Sequence, residues 1–399
     1  MPKDLYIFIG NKLISTDAIL PLSYELKKRN LVRNVYFVTI DLLTYKSIKR
    51  NYVIFQAINK IGMFLFLGNI HKIYRDQSPN SYEKIKSFFF RQIAKINLIP
   101  FLLLLTIKCI LGRVIVFHFG LLDIYPWRLI NKFIKSSIYK VDRTWETDLL
   151  WEVTYVRSTA PSPFSKYETV GNLIYFHNDS NALKDKRNIE KRKFFLPPTS
   201  NYRHWVYFLK NNYKSYIDYE LKKNNLKPNQ NIITIMLGTF SPLPYLKRKN
   251  TAEICFKEII QTIINLKVNF QVFIKPHVIS KESVYLKILK SIPNNNIVIT
   301  QLHPGILAMV SKVFICNYYS TTISTANLLS VPTIEYTDYH NKTLQLTNQS
   351  SMSPEYVDFF INRNKAKFKK ILLDCLKQDR KKIVSFSPKK KSLKFIINS

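Results

Sequence analysis

Glycine is scarce in this chain of 399 residues, with only 8. Acidic residues are few as well, 26 against 61 lysines and arginines, which leaves a formal charge of +35. The four cysteines lie far apart in apolar surroundings with no CxxC or CxxH spacing. That pattern reads as buried thiols in a reducing compartment and excludes a disulfide scaffold or a zinc module. No GxGxxG and no GxxxxGK[ST] occurs, which argues against a nicotinamide dehydrogenase and a P-loop enzyme. A GxSxG elbow, an HExxH and a DxD pair are missing too. The seven histidines are scattered without a metal-ligand spacing. The N-terminus runs straight into a strand, so no signal peptide is expected. The most apolar run, 98–111, contains Pro100 and Lys108 and falls short of the about 20 apolar residues that span a bilayer. It reads as a buried helix or one lying on a membrane surface.

What is present is a chain 46% hydrophobic, long enough for two domains and able to build real cores. Its charge calls for anionic partners, namely nucleic acid, an acidic membrane surface or negatively charged substrates. The bias to Lys, Asn and Ile also resembles that of an AT-rich coding sequence, which weakens charge as a functional signal. The densest basic runs, 380–382 and 389–391, lie at the C-terminal end.

In chain order, the apolar run 5–9 reads as a strand ending at Gly10, followed by a helix over 17–29 and a strand over 35–38. This βαβ opening signals a parallel sheet covered by helices. Residues 44–112 read as helical or irregular, 114–119 as a strand ending at Gly120, and 123–137 as a helix. Short strand-like pieces at 151–156 and 173–176 and a long helix over 201–225 follow. The boundary is placed at 228, giving an N-terminal α/β domain (1–228), a C-terminal Rossmann-like domain (229–345), and helices with a basic tail (346–399). The second domain repeats the βα pattern, with strands at 232–237, 270–274, 297–299, 313–316 and 332–334. Beyond Tyr339 the chain reads as helical and basic.

Three glycines, Gly10, Gly120 and Gly238, stand directly after predicted strands. Ligands in open α/β sheets bind outside the carboxyl ends of strands, where glycine permits close backbone approach. A plain tight turn is the alternative at each. The second half gathers further polar groups at such ends: Lys275-Pro276-His277, then His303-Pro304, then Ser320-Thr321-Thr322 before a helix, then Glu335. A helix start with hydroxyls beside a Lys and a His suits a phosphate or pyrophosphate. Helix capping explains one hydroxyl but not three, and His303 alone reads as a capping residue. Glu335 at a strand end would meet ribose hydroxyls.

The stretch IKPH at 274–277, followed by VFICNYYSTTISTANLLSVPTIEY at 313–336, resembles the C-terminal half of bacterial GT-B glycosyltransferases of surface polysaccharide biosynthesis. Within that group it is similar to enzymes using CMP-sugars, sialyltransferases and Kdo transferases, and to CDP-glycerol polymerases. The resemblance covers roughly 230–340; the N-terminal half shares the βα pattern and the FHFG strand end. It implies two Rossmann-like domains with a cleft between them. It implies metal-independent transfer of a sialic acid- or Kdo-like sugar from a nucleotide-sugar, which is a substrate, with no other cofactor. By the same resemblance His277 and Ser320, Thr321 and Thr322 contact the donor phosphate, the alternative HP match being His303-Pro304.

The acceptor hydroxyl then needs a carboxylate base. Asp17 and Asp123 are the candidates, each equally able to cap its helix, and Asp142, Glu146 and Asp148 follow. The implied partners are a nucleotide-sugar, a glycan or lipid-linked glycan acceptor and the inner membrane surface. A UDP- or GDP-sugar transferase, or a CDP-polyol phosphotransferase of the same fold, is the near alternative. A basic nucleic-acid-binding protein and a non-catalytic membrane scaffold are the distant ones.

Overall fold

The computed structural model describes residues 2–9, 13–40, 42–68, 81–119, 122, 127–142, 171–176, 192–226, 231–240, 242–266, 269–277, 282–291, 296–320 and 322–398. Among them the contacts divide the chain into two units. One draws on Met1–Trp145, Ser162–Trp205 and Phe386–Ser399, the other on Val206–Ser385. The observed division falls after Trp205, ahead of the sequence-based boundary at 228, and the last residues return to the first unit.

The first unit is a seven-stranded sheet in the order β3-β2-β1-β4-β5-β6-β7. Its strands are β1 (Lys3–Phe8), β2 (Val32–Thr39), β3 (Met63–Phe66), β4 (Val114–His118), β5 (Ile138–Asp142), β6 (Asn172–Tyr175) and β7 (Lys193–Phe195). All pairings are parallel. Parallel strands are covered on both faces and so carry continuous apolar runs. In β4 every residue is buried, including His118. After the helices α1 (Leu13–Lys28), α2 (Leu42–Arg50) and α3 (Tyr52–Ile61), the run expected as a helix over 98–111 is part of a much longer one, α4 (Ser81–Ile110), which continues through Pro100. The helix expected over 123–137 is described as a short helix Trp127–Asn131 followed by a 3-10 turn Lys132–Ser137.

The second unit holds six parallel strands in the order β10-β9-β8-β11-β12-β13. They are β8 (Ile232–Met236), β9 (Gln271–Lys275), β10 (Ile297–Ile299), β11 (Ser311–Cys316), β12 (Thr333–Thr337) and β13 (Phe359–Asn362). The chain beyond Tyr339 is therefore not only helical. It supplies the sixth strand, which pairs with β12 from Ile334↔Phe359 to Thr337↔Asn362. The core on one face packs Ile233, Ile235, Ile315 and Ile334 against Cys255, Phe256 and Ile259 of the helix Thr251–Ile264 and Phe368 and Leu372 of the helix Lys365–Lys377. All four cysteines are buried and unbridged. Both sheets have the doubly wound order in which the chain starts centrally, builds to one edge, then crosses to build the other. In the second unit that switch lies between β8 and β11.

Candidate functional site

Because its strands are parallel, the second sheet presents every carboxyl end at one edge. Register puts Met236, Lys275, Cys316 and Glu335 in one row across β8, β9, β11 and β12. The loops leaving that row carry Gly238, His277, Ser320 and Thr322. The sequence-based set is thus brought to one sheet edge, with Gly238 on one side of the switch point and Ser320 and Thr322 on the other.

The switch point is tightly built. The Gly238 N–H donates to Asn317 Oδ1 at 2.9 Å, and Asn317 Nδ2 donates to the Ala252 carbonyl at 3.0 Å. Asn317 thereby joins the loop after β8, the loop after β11 and the start of the helix Thr251–Ile264. The Tyr318 ring lies over Gly238 and its hydroxyl donates to the Thr239 carbonyl at 2.9 Å. A Cβ at position 238 would stand 1.9 Å from Tyr318 Cζ, so only glycine fits under this ring. Burial pushes the Tyr318 phenol up to about 12, so the hydroxyl stays a neutral donor.

Lys275 ends β9 as expected and its Nζ donates to the Gln301 carbonyl at 3.3 Å. His277, two residues on, is half-buried. His303 is buried and caps the helix Pro304–Val310, its Nδ1 accepting from the Gly305 N–H at 2.9 Å. That capping bond occupies one ring nitrogen inside the protein.

The hydroxyl cluster is organised differently from the sequence expectation. Ser320 Oγ and Thr322 Oγ1 are 2.7 Å apart and bond each other. Thr322 is the N-cap of the helix Ile323–Leu328 by position, yet its side chain makes no capping bond. Thr321 lies outside the described residues. The helix has only six residues, so its dipole is short and the hydroxyls themselves are the available donors.

Glu335 does not meet solvent. The expectation that it ends its strand and faces a ribose is corrected by two features. β12 runs on to Thr337, and the carboxyl is roofed by two hydroxyl donors, Tyr339 Oη and Ser351 Oγ, the latter at 2.6 Å. Burial pushes this carboxyl up to about 7, while the two hydroxyl bonds pull the other way. The network continues outward. Tyr339 Oη accepts from the Tyr319 N–H at 3.3 Å, Ser351 Oγ accepts from the Ser353 N–H at 3.1 Å, and Ser353 Oγ donates to Tyr319 Oη at 3.2 Å. Glu335 therefore anchors Tyr319, the residue directly before Ser320.

A second polar cluster went unread in the sequence. Glu258, on the helix Thr251–Ile264, accepts from Tyr336 Oη at 2.7 Å and from Arg363 Nη2 at 3.1 Å, with Lys365 Nζ at 3.3 Å. Arg363 also reaches Asp338 at 3.4 Å. Burial alone would raise the Glu258 carboxyl, but the bonds from Arg363 and Tyr336 and the cationic charges outweigh it and hold the group below its usual value. Arg363 has φ +46°, a left-handed conformation, directly after β13. The available signal was the polar run after β13 and the strand-end position of Asp338. Asn317 and Tyr318 likewise stand in the 313–336 stretch, directly after β11 and ahead of its hydroxyls.

On the first unit, Asp17 falls within the helix Leu13–Lys28, but its side chain lies outside the described residues. Asp142 ends β5 with its side chain likewise undescribed. Gly10, Gly120, Asp123, Glu146 and Asp148 lie outside the described residues, as does the strand expected at 151–156.

Two parallel-stranded Rossmann-like units in one chain define the GT-B class of fold. Solved structures of that class match almost the whole chain. A Listeria monocytogenes protein assigned as a UDP-N-acetylglucosamine 2-epimerase aligns at 12% identity and TM-score 0.52, over 99% of this chain and 91% of that one. A glycosyltransferase from Rickettsia africae aligns at 10% identity and TM-score 0.53, over 100% and 93%. Arabidopsis thaliana UGT89C1, complexed with UDP, aligns at 10% identity and TM-score 0.55, over 100% and 99%. No protein-family model and no curated protein matches the sequence. Likeness at this identity carries the fold, and the chemistry must be argued from the residues.

Proposed function

We propose that the chain is a glycosyltransferase that moves a sugar from a nucleotide-sugar to a glycan acceptor, with the donor phosphate held at the carboxyl edge of the β8–β13 sheet. The observation that carries this reading is the convergence, at the switch point and its flanks, of Gly238, Lys275, His277, Ser320 and Thr322 on one sheet edge. In transfer, the bond from the anomeric carbon to the phosphate oxygen breaks and the acceptor oxygen takes its place. Lys275 and His277 would offset charge developing on the leaving phosphate, and Ser320, Thr321 and Thr322 would donate hydrogen bonds to it. A carboxylate, Asp17 or Asp123, would take the acceptor proton. Glu335 serves the same site indirectly, by holding Tyr319 in place, and not as a ribose ligand.

For the donor we favour a CMP-activated sugar of the sialic acid or Kdo type, on the strength of the IKPH and Ser/Thr-rich stretches. A lipid-linked surface glycan as acceptor would place the enzyme at the inner face of the cytoplasmic membrane. A UDP-sugar is the second reading, favoured by the UDP-bound structure of UGT89C1. Thermal shift with CMP, CDP, UDP and GDP separates them. A nucleotide at about 100 times its Kd adds ~2.7 kcal/mol to the native state. CMP should stabilise most, and His277→Ala should weaken the effect. Preference for UDP would replace the first donor with the second. Absence of any stabilisation at millimolar nucleotide would remove the transferase reading.

A further inference from the structure

Helix α4 is apolar on two opposite faces. Leu98, Leu102, Leu105 and Cys109, spaced four, three and four apart, are buried in the core of the first unit with Tyr6, Phe8 and Val116. On the other side Ile85, Phe89, Ile96, Leu103, Ile107 and Ile110 stand 50–67% exposed. At about 100° per residue these six fall within one narrow stripe, centred well away from the buried face. A helix of 30 residues is ~45 Å long, and the stripe follows most of it. Single exposed apolar residues need no explanation, whereas a continuous row of this length marks a docking surface.

The charge exposed around this helix selects its partner. In sequence the helix carries five basic residues, Lys84, Lys86, Arg91, Lys95 and Lys108, against one acidic residue, Glu83, and Lys108 stands exposed. The 3-10 turn Lys132–Ser137 packs against it and exposes Phe133 at 80%, flanked by exposed Lys132 and Lys135. A second copy of the chain would bring a further +35 against the same charge. An exposed apolar row, with exposed lysines on the turn packed against its helix, complements an anionic phospholipid surface. The helix lies along such a surface and does not cross it, since its inner stripe is part of the protein core. Among the described residues no helix is long and apolar enough to cross a membrane.

We infer that α4 and the Lys132–Ser137 turn form the face by which this protein docks on an anionic lipid surface. This inference is independent of the donor reading and of catalysis. The test is sedimentation of the full chain with phosphatidylcholine vesicles, with and without about a third phosphatidylglycerol, at low salt. Binding should need the anionic lipid and weaken as salt screens it. Phe89→Ser, Leu103→Ser and Ile107→Ser combined should lose at least about tenfold in vesicle affinity, as should Lys132→Gln with Phe133→Ser. All five positions are exposed, so the melting temperature should hold, which checks folding. Wild-type protein remaining in the supernatant, or the triple variant binding as wild type, overturns the inference. So does a wild-type dimer that the triple variant loses while neither binds vesicles, which would assign the stripe to a second copy.

Discussion

Glu335 sets up a sharp pH test of the second unit. Its carboxyl titrates from an ordinary 4.5 when unfolded to about 7 when folded, because burial disfavours the charged form. Between those values the folded state binds more protons than the unfolded one, so stability falls as pH rises. A difference of about 2.5 units at ~1.36 kcal/mol each amounts to about 3 kcal/mol, lost by the time the pH has passed the folded value. The carboxyl is fully buried, so no solvent screening reduces it. Glu258 and Asp4 have lowered values, and their stability is lost only as pH falls below the ordinary carboxylate range, a separate window. Glu220, raised by burial, adds a slope of the same sign, so the comparison must be made against a variant and not against expectation alone.

Glu335→Gln keeps the shape, still accepts from Tyr339 and cannot ionise. Thermal unfolding at about pH 5 and about pH 8 should show wild type losing the about 3 kcal/mol that the variant keeps. For a unit of this size that is a relative shift of roughly 6–12 °C in Tm. The variant should be close to wild type at the lower pH and overtake it at the higher. Tyr339→Phe, which removes a donor to the carboxylate, should steepen the wild-type slope. Parallel curves for wild type and Glu335→Gln would refute the assignment of this titration to Glu335.

Gly238→Ala forces a methyl into the Tyr318 ring, and should cost about 1–3 kcal/mol and remove nucleotide stabilisation; Tyr318→Leu in the same chain should recover part of the stability, read by thermal shift. Arg363→Ala leaves Glu258 with Lys365 and Tyr336 only. Because Arg363 is itself about a third exposed, the loss should be about 1–2 kcal/mol, smaller than for a sealed pair, and it should grow with added pH as Glu258 ionises; urea midpoints across pH would show it.

The parallel sheets were legible because their inner strands are buried on both faces. The runs at 5–9, 114–119, 232–237 and 313–316 are dominated by Ile, Val, Phe and Leu, and each marks a central strand. Of the strands that escaped, β5 is an inner one whose run IYKVD is broken by Lys140 and Asp142, and the others lie at sheet edges. β3, β7 and β13 have three or four residues, sit at a sheet margin and are only partly buried. A short half-covered strand needs no long apolar run, so periodicity carries little signal there. Missing β13 also set 346–399 apart as helices with a basic tail, although its part up to Ser385 belongs to the second unit and supplies that strand.

The site divides along similar lines. Which residues reach the sheet edge follows from strand order, since each strand end and the loop after it are contiguous in sequence. Which of those residues remain open to a ligand does not, because burial is decided by distant segments. Glu335 is sealed by Ser351, which lies 16 residues away, and Gly238 is covered by Tyr318, 79 residues on from the Thr239 carbonyl it bonds. The same long-range contacts make Tyr319 answer to two hydroxyl paths from one carboxyl. The loop that presents Ser320 and Thr322 is thereby tied to a group that titrates near neutrality. Its two hydroxyl partners donate to both carboxyl oxygens, so the network that holds Tyr319 tightens as the carboxyl ionises, even while burial of that charge costs the unit stability.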